Sequence, residues 1–210
     1  YIDFLQLVTK FESTERTRYQ DLVKFLEHEM TSGSLKVKKD FLPNINYCPR
    51  NQGNDMPLHV TSSVITEIAP LLLLLKSNID FKAIVIEEPE AHLHPALQRK
   101  MARFIIRLMH KNIMVMVTTH SDVIMQHVNN MLRLNGLQER ASRMGEFQYD
   151  EDDLLEVGDV GVYQFSHGQR GEESIVEELL PGSNGFVVPT FNDALSDFLE
   201  EIYALQGDGD

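Results

Sequence analysis

Two short apolar runs that end abruptly in polar residues constrain the fold of this chain more than any other feature. Residues 83–88 read Ala-Ile-Val-Ile-Glu-Glu, and residues 113–121 read Ile-Met-Val-Met-Val-Thr-Thr-His-Ser. Apolar runs without a polar face are typical of parallel strands that are covered on both sides. Open α/β sheets bind ligands at the carboxyl ends of such strands. We therefore expect Glu87, Glu88 and His120 to meet at one edge of a sheet.

Helical patterns connect and flank these two strands. Pro95 takes the preferred first position of a helix, which would join the strands as a β-α-β crossover. The apolar residues of this helix form a single stripe, made of Leu97, Met101, Phe104, Ile105 and Leu108. Residues 62–77 predict another helix, which is too apolar for the surface and should lie against the sheet. Ser121 is placed to cap a third helix that reaches about residue 133.

The amino-terminal side predicts a helical segment followed by a small insert. Residues 1–30 have apolar positions at helical spacing with one polar break. Three short runs of strand composition follow, separated by turn residues: 35–38, 45–48 and 58–60. We expect a small antiparallel ribbon there, and we divide the chain into residues 1–60, the helical segment and insert, and residues 61–210, the main α/β domain.

The carboxyl-terminal side is less regular. Residues 136–158 are polar and include the acidic run 150–153, which predicts a mobile loop or an exposed helix end, with a metal site as the minor alternative. A strand pair is expected at 161–165 and 174–180. The last helix should begin at Pro189 and carry one apolar face, formed by Phe191, Leu195, Phe198, Leu199 and Ile202. The final four residues should be frayed.

Composition excludes several classes of protein. The formal net charge is −13, from 32 acidic and 19 basic residues, so the surface should repel a nucleic-acid backbone. The single Cys48 excludes an intramolecular disulfide. The longest apolar run, residues 68–75, is far shorter than the roughly 20 residues that a membrane-spanning helix needs. A cytoplasmic protein without membrane association or direct nucleic-acid binding is the expectation.

Three segments together resemble a known family. Residues 87–95, EEPEAHLHP, and residues 117–121, VTTHS, resemble the Walker B motif with its D-loop and the switch histidine of the ABC-type ATPases. Residues 59–71, HVTSSVITEIAPL, resemble the ABC signature motif, often SSG followed by a helix. The similarity is greatest to the branch that contains OLD-family and SMC-like AAA ATPases. It implies an α/β fold that is the carboxyl-terminal portion of a P-loop NTPase.

The resemblance assigns unequal roles to the two acids. Glu87 stands where the family usually has the Walker B aspartate and would bind Mg²⁺ directly or through water. Glu88 matches the catalytic glutamate, which would polarise the attacking water. Neighbouring residues on an extended strand point to opposite sides, which agrees with separate tasks for the two carboxylates.

The remaining candidate residues each have a plainer alternative. His120 matches the histidine that contacts the γ-phosphate, but a histidine can also simply cap the turn from strand to helix. Ser62 and Ser63 match the signature serines, although Val64 replaces the usual glycine, and either could be an ordinary helix cap. His92 belongs to the D-loop-like region that would lie across a dimer interface. With His94 it could instead form an H-x-H metal pair.

The phosphate-binding loop is missing from the sequence. No G-x-x-x-x-G-K-[ST] motif occurs in the 210 residues, and the chain opens at Tyr1 inside a helical pattern. We therefore expect a P-loop portion outside this segment. With that portion, the resemblance implies a homodimer in which ATP is held by one protomer and sealed by Ser62 or Ser63 of the other, so that hydrolysis opens the dimer.

Two other functions remain open. One is a non-catalytic interaction module that uses an ABC-like dimer surface. The other is the ATPase part of an OLD-type nuclease, whose TOPRIM domain would place a Glu and a D-x-D pair at strand ends. Nothing after Ser121 has that layout, so a nuclease or DNA-processing activity would belong to a separate partner. The resemblance also suggests a role in DNA repair or anti-phage defence.

Overall fold

The computed structural model describes residues 17–39, 43–51, 53–77, 79–167, 174–183 and 185–206. The fold is α/β, as expected, and the chain divides into two compact units, Tyr1–Ile124 and Met125–Asp210. Expectations for residues 1–16 and 207–210 lie outside the described residues, and the domain boundary at residue 60 stays a prediction. Within the described ranges, no helix has both the length and the apolar character needed to cross a bilayer.

The first unit alternates helices with two separate sheets. Its elements are α1 (Gln20–Phe25), a π-helical turn (Leu26–Met30), β1 (Gly33–Lys39), β2 (Pro43–Pro49), β3 (Met56–Pro57), a 3-10 turn (Leu58–Val60), α2 (Ser63–Lys76), β4 (Ala83–Glu87), α3 (Pro95–Met109), β5 (Met114–Thr118) and the first residues of α4 (Asp122–Gly136). Strands β1, β2 and β3 form the expected antiparallel ribbon. Residues 58–60 are a 3-10 turn and not a strand, because the pairing with β2 ends at Pro57.

The core of this unit lies where the helices meet. Side chains of α1 and the π-helical turn pack against the apolar run of α2 and the stripe of α3. The residues that are almost completely buried include Tyr19, Leu22, Leu26, Ile68, Leu72, Leu73, Phe104 and Leu108. The prediction that residues 62–77 form a buried helix is confirmed, since α2 spans Ser63–Lys76 with Pro70 inside it. Burial of these large side chains contributes roughly 1.5–3 kcal/mol each.

The sheet that carries the acids differs from the expectation in one respect. Strands β4 and β5 pair in parallel, with α3 between them in sequence. However, the strands are not covered on both sides. Val85, Met114 and Met116 expose 59%, 72% and 61% of their surface, whereas Ile84 and Val115 on the opposite face pack against the core. Within the described residues this sheet has only two strands, so nothing in them covers the second face.

The second unit corrects the expectation for the acidic stretch. It contains α5 (Arg140–Phe147), two 3-10 turns (Glu151–Asp153 and Val157–Asp159), β6 (Val162–His167), β7 (Ser174–Leu179) and α6 (Pro189–Gln206). Residues 136–158 are therefore not a simple loop. Asp153 is fully buried and accepts a hydrogen bond from the backbone N–H of Asp150 in a capping box, so the acidic run organises a turn.

Two further predictions about this unit are confirmed. Strands β6 and β7 form the expected pair and are antiparallel. The final helix begins at Pro189 as expected, and Leu195, Phe198 and Leu199 on its apolar face are exposed. The sequence pattern identified the helix correctly, but it could not tell whether another surface covers that face.

Candidate functional site at the ends of the parallel strands

The carboxyl ends of β4 and β5 form one edge, as the sequence predicts. Glu87 is paired with Thr118 in the last register position of the ladder. The backbone N–H of Glu88 continues the pairing by donating to the carbonyl oxygen of Thr118 at 2.9 Å. The two strand ends are thus held together by backbone hydrogen bonds, and the residues that follow them start from fixed positions.

Glu88 leaves the strand in a conformation that corrects one step of the sequence argument. Its φ is +44°, in the left-handed region that non-glycine residues seldom adopt. The strand therefore ends at Glu87, and the two carboxylates are not successive residues of an extended chain. The alternation of side chains along a strand therefore does not apply to Glu87 and Glu88 as a pair. Backbone of this kind is found disproportionately at functional sites, because surrounding contacts must hold it in place.

Glu88 and His120 approach each other across the edge. The distance from Glu88 Oε1 to His120 Nε2 is 3.9 Å, and the two side chains are 60% and 86% exposed. They are close enough for one water molecule or one phosphate oxygen to contact both. The residue that caps the following helix is Ser121 and not His120, because Ser121 Oγ accepts the backbone N–H of Ile124 at 3.2 Å.

Glu90 is a member of this edge that the sequence argument missed. Its Oε1 accepts the hydroxyl of Thr119 at 2.9 Å and the backbone N–H of His120 at 2.6 Å. The sequence did carry a signal for Glu90. It is a third acidic residue, directly after Pro89, in the short connection between a strand and a helix. Such a carboxylate can reach the backbone donors of the neighbouring strand end.

The candidate signature serines lie at the start of α2. Ser62 is the helix-capping residue by position, but its side chain makes no capping hydrogen bond within the described residues. Both serines are exposed. Their hydroxyls and the free N–H groups of the first turn can therefore all face a ligand, which makes this end of α2 suited to an anion.

His92 lies close to the same helix. Its Nε2 is 3.9 Å from Oε1 of Glu67, which is four residues after Ser63 and so on the same face of α2. His94 has a separate task, because its Nδ1 accepts the backbone N–H of Ala96 and caps α3. The two histidines of the H-x-H pattern thus have different partners. Among the described residues, no group of three or more His, Cys, Asp or Glu side chains could hold a metal ion.

The arrangement nevertheless suits a magnesium ion that is shared with a phosphate. Mg²⁺ in nucleotide sites takes one or two carboxylates together with phosphate oxygens and water. Glu87 supplies one exposed carboxylate at the strand end. A nucleotide would have to supply the other ligands, so the site is chemically consistent with Mg²⁺ only when phosphate is bound.

A comparison with family models decides the class of the protein. The model described as an AAA ATPase domain matches residues 3–125, which is more than half of the chain. The chain belongs to this AAA ATPase family. The matched region of the AAA ATPase includes both serines, the three glutamates and His120. The expected class of ATPase is confirmed, whereas the narrower OLD-like branch stays a prediction.

Solved structures of SMC proteins are similar to this AAA ATPase. One, described for the ATP-driven dimerization and DNA-stimulated activation of SMC ATPases, is 15% identical, with 88% of this chain and 89% of that chain covered and a TM-score of 0.49. Another is an Smc head with an extended coiled coil bound to the C-terminal domain of ScpA, derived from Pyrococcus furiosus. It is 14% identical, with 88% and 37% covered and a TM-score of 0.46. No curated protein matches the chain.

Proposed function

We propose that this chain supplies the hydrolytic residues of an ATP-hydrolysing dimer and that a P-loop portion outside the 210 residues holds the phosphates. The approach of Glu88 to His120, at 3.9 Å across the joined strand ends, is the observation that carries the proposal. A carboxylate and an imidazole at this separation can act on one attacking water and one γ-phosphate.

Each acid has its own task in this proposal. Glu87 would hold Mg²⁺, and the ion would supply positive charge to offset the negative charge that develops on the phosphate during transfer. Glu88 orients the attacking water and accepts its proton. His120 donates to a γ-phosphate oxygen. The different positions of the two acids support this division, because Glu87 ends the strand whereas Glu88 lies in the left-handed turn and approaches His120.

The start of α2 seals the site of a second copy. Ser62 and Ser63 are exposed, and in the described part of the chain Ser62 makes no capping hydrogen bond, so the hydroxyls can reach a phosphate held by the other protomer. His92 is near the same face of α2 and belongs to the proposed dimer surface. ATP would stabilise the closed dimer because it contacts both copies there, and hydrolysis would remove this preference.

Substitution of Glu88 by Gln tests the proposal in the protein at its natural full length. Gln keeps the size of the side chain but cannot accept the proton of water. ATP hydrolysis should fall about 100-fold or more, while ATP binding is retained and the dimer persists in ATP and Mg²⁺ when measured by sedimentation velocity. Glu200→Gln, on the exposed face of α6, is the matched control and should hydrolyse ATP at the wild-type rate.

Unchanged hydrolysis in Glu88→Gln would overturn the catalytic proposal. The chain would then be better explained as an interaction module with an ABC-like dimer surface. The OLD-like branch, a nuclease or DNA-processing partner, a role in DNA repair or anti-phage defence and a cytoplasmic location belong to the proposal as expectations from the sequence.

A further inference from the structure

Glu90 makes a connection that none of the proposed catalytic residues makes. It lies in the segment between β4 and α3, yet its Oε1 accepts two hydrogen bonds from residues at the end of β5, the hydroxyl of Thr119 and the backbone N–H of His120. These partners are 29 and 30 residues away in sequence. The side chain of Glu90 therefore ties the turn that follows Glu88 directly to the backbone of His120.

The Glu90 hydrogen bonds fix the position of the His120 backbone, which the pairing of β4 with β5 leaves free. The last backbone hydrogen bond between the strand ends joins Glu88 to Thr118. Beyond it, the exposed side chains of Glu88 and His120 approach each other to 3.9 Å. The Glu90 hydrogen bonds begin one residue further along, at Thr119, and so determine where His120 leaves the strand.

The strength of this tie follows from its chemistry. Hydrogen bonds to an ionised carboxylate are about twice as strong as neutral ones. The second carboxylate oxygen, Oε2, is buried without a hydrogen-bond partner in the described part of the chain. A buried oxygen of this kind lowers stability. Such groups are rare in native structures, which suggests that Glu90 serves more than stability.

We propose that Glu90 is a positioning residue, which holds the backbone of His120 so that its imidazole meets Glu88 and the γ-phosphate in the geometry that hydrolysis needs. This inference rests on the proposed function. Glu90 itself touches neither water nor phosphate in the reaction. Its loss would displace His120 but leave Glu87 in place, because Glu87 is held by the β4–β5 ladder.

Three substitutions in the full-length protein test the inference. Glu90→Ala removes both hydrogen bonds and should lower kcat about 10- to 100-fold, the range expected when a catalytic group moves by about 1 Å. The KM for ATP should change less than about threefold, since phosphate and magnesium binding do not depend on this tie. Glu90→Gln keeps an acceptor oxygen for both donors and should recover most of the lost kcat.

Thr119→Val is the milder variant. It removes the hydroxyl that donates to Glu90 and that also accepts the backbone N–H of Ser121, but it keeps the backbone N–H of His120. Its kcat should lie between those of wild type and Glu90→Ala. Thermal unfolding of each variant separates a folding defect from a positioning defect. If Glu90→Ala does not fold, Thr119→Val and Glu90→Gln decide: wild-type kcat in Thr119→Val, or kcat in Glu90→Gln as low as in Glu88→Gln, would overturn the inference.

A parallel measurement distinguishes failure of the inference from failure of the proposed function. If Glu88→Gln abolishes hydrolysis and folded Glu90→Ala retains the wild-type kcat, only the positioning role is wrong. If Glu88→Gln hydrolyses ATP normally, the proposed function fails and the positioning role fails with it. A loss of kcat in Glu90→Ala that merely follows its folded fraction would also contradict the inference.

Discussion

The strand-end edge and the start of α2 differ in how their polar groups are held. At the edge, Glu90 binds Thr119 and the backbone of His120, and Glu88 binds Thr118 through its own backbone. At the start of α2, Ser62 occupies the capping position but makes no capping hydrogen bond to any residue that the structure describes. One region is organised by contacts inside the chain, whereas the other leaves its donors open. This contrast is what we would expect if the first performs chemistry and the second receives a phosphate from another copy.

The largest expected effect concerns the organised region. His120→Ala should lower kcat of the full-length ATPase by about 100-fold, because a donor to the developing phosphate charge is lost. The free energy of unfolding should not change, since the His120 side chain is almost fully exposed. His28→Ala, on the exposed side of the π-helical turn, is the matched control. Equal rates of ATP hydrolysis in His120→Ala and His28→Ala would show that the His120 side chain does not take part in the chemistry.

The open region should show a smaller effect that depends on the partner copy. Ser62→Ala and Ser63→Ala should each lower kcat up to about 10-fold by removing one hydrogen-bond donor to phosphate. Dimers mixed from a Ser62→Ala/Ser63→Ala subunit and a Glu88→Gln subunit separate the two roles. If each ATP is sealed by the other copy, one site in such a dimer has both defects and the other has neither. The mixed dimer should therefore retain about half of the wild-type rate.

Ser142→Ala, on an exposed position of α5, serves as the matched control for both serine variants and should behave as wild type. A mixed dimer in which both sites are impaired would show that the serines act within their own subunit. The two regions would then form one site in one chain, and the proposed contrast between them would be wrong.

His92 offers a finer test of the dimer surface. Its contact with Glu67 is long and half exposed, so His92→Ala should change the free energy of unfolding by less than about 1 kcal/mol. The dissociation constant of the ATP-bound dimer, measured by sedimentation, should rise about 3- to 10-fold if the side chain faces the partner. An unchanged dissociation constant would place His92 outside the interface.

The smallest effect is a pH dependence of stability that involves neither region. A side-chain hydrogen bond from Lys100 lowers the pKa of Glu29 below its usual value. The folded state therefore binds this proton less readily than the unfolded state. The stabilisation is complete above the unfolded pKa and is lost as the pH falls through the lower folded pKa. Because the pair is partly exposed, the loss should be under about 1 kcal/mol.

Urea unfolding of wild type and Glu29→Gln at neutral and acidic pH measures this contribution. The difference between the two proteins should be present at neutral pH and disappear in acid. A difference that persists in acid would show that the pair acts through packing and not through the charge of Glu29. The result also gives the stability background against which the rates of the site variants are compared.

The elements of the site were predictable because their signals are local. The apolar runs of β4 and β5, Pro95 at the start of α3 and the capping by Ser121 each depend on a few neighbouring residues. The approach of Glu88 to His120 followed from one rule about parallel strands, whose carboxyl ends meet at the same edge of the sheet. The exposed face with Val85 was not predictable, since an apolar residue in a strand looks the same whether or not another layer covers it.

The sequence by itself determined the class of fold, the order of the elements and the identity of the chemical groups at the sheet edge. Only the tertiary structure decided the left-handed turn at Glu88, the open hydroxyl of Ser62 and the link from Glu90 to His120. The physical reason is the separation in sequence between the residues that interact. Helix and strand patterns arise from residues a few positions apart, whereas a hydrogen bond across about 30 residues exists only after β4 and β5 have paired.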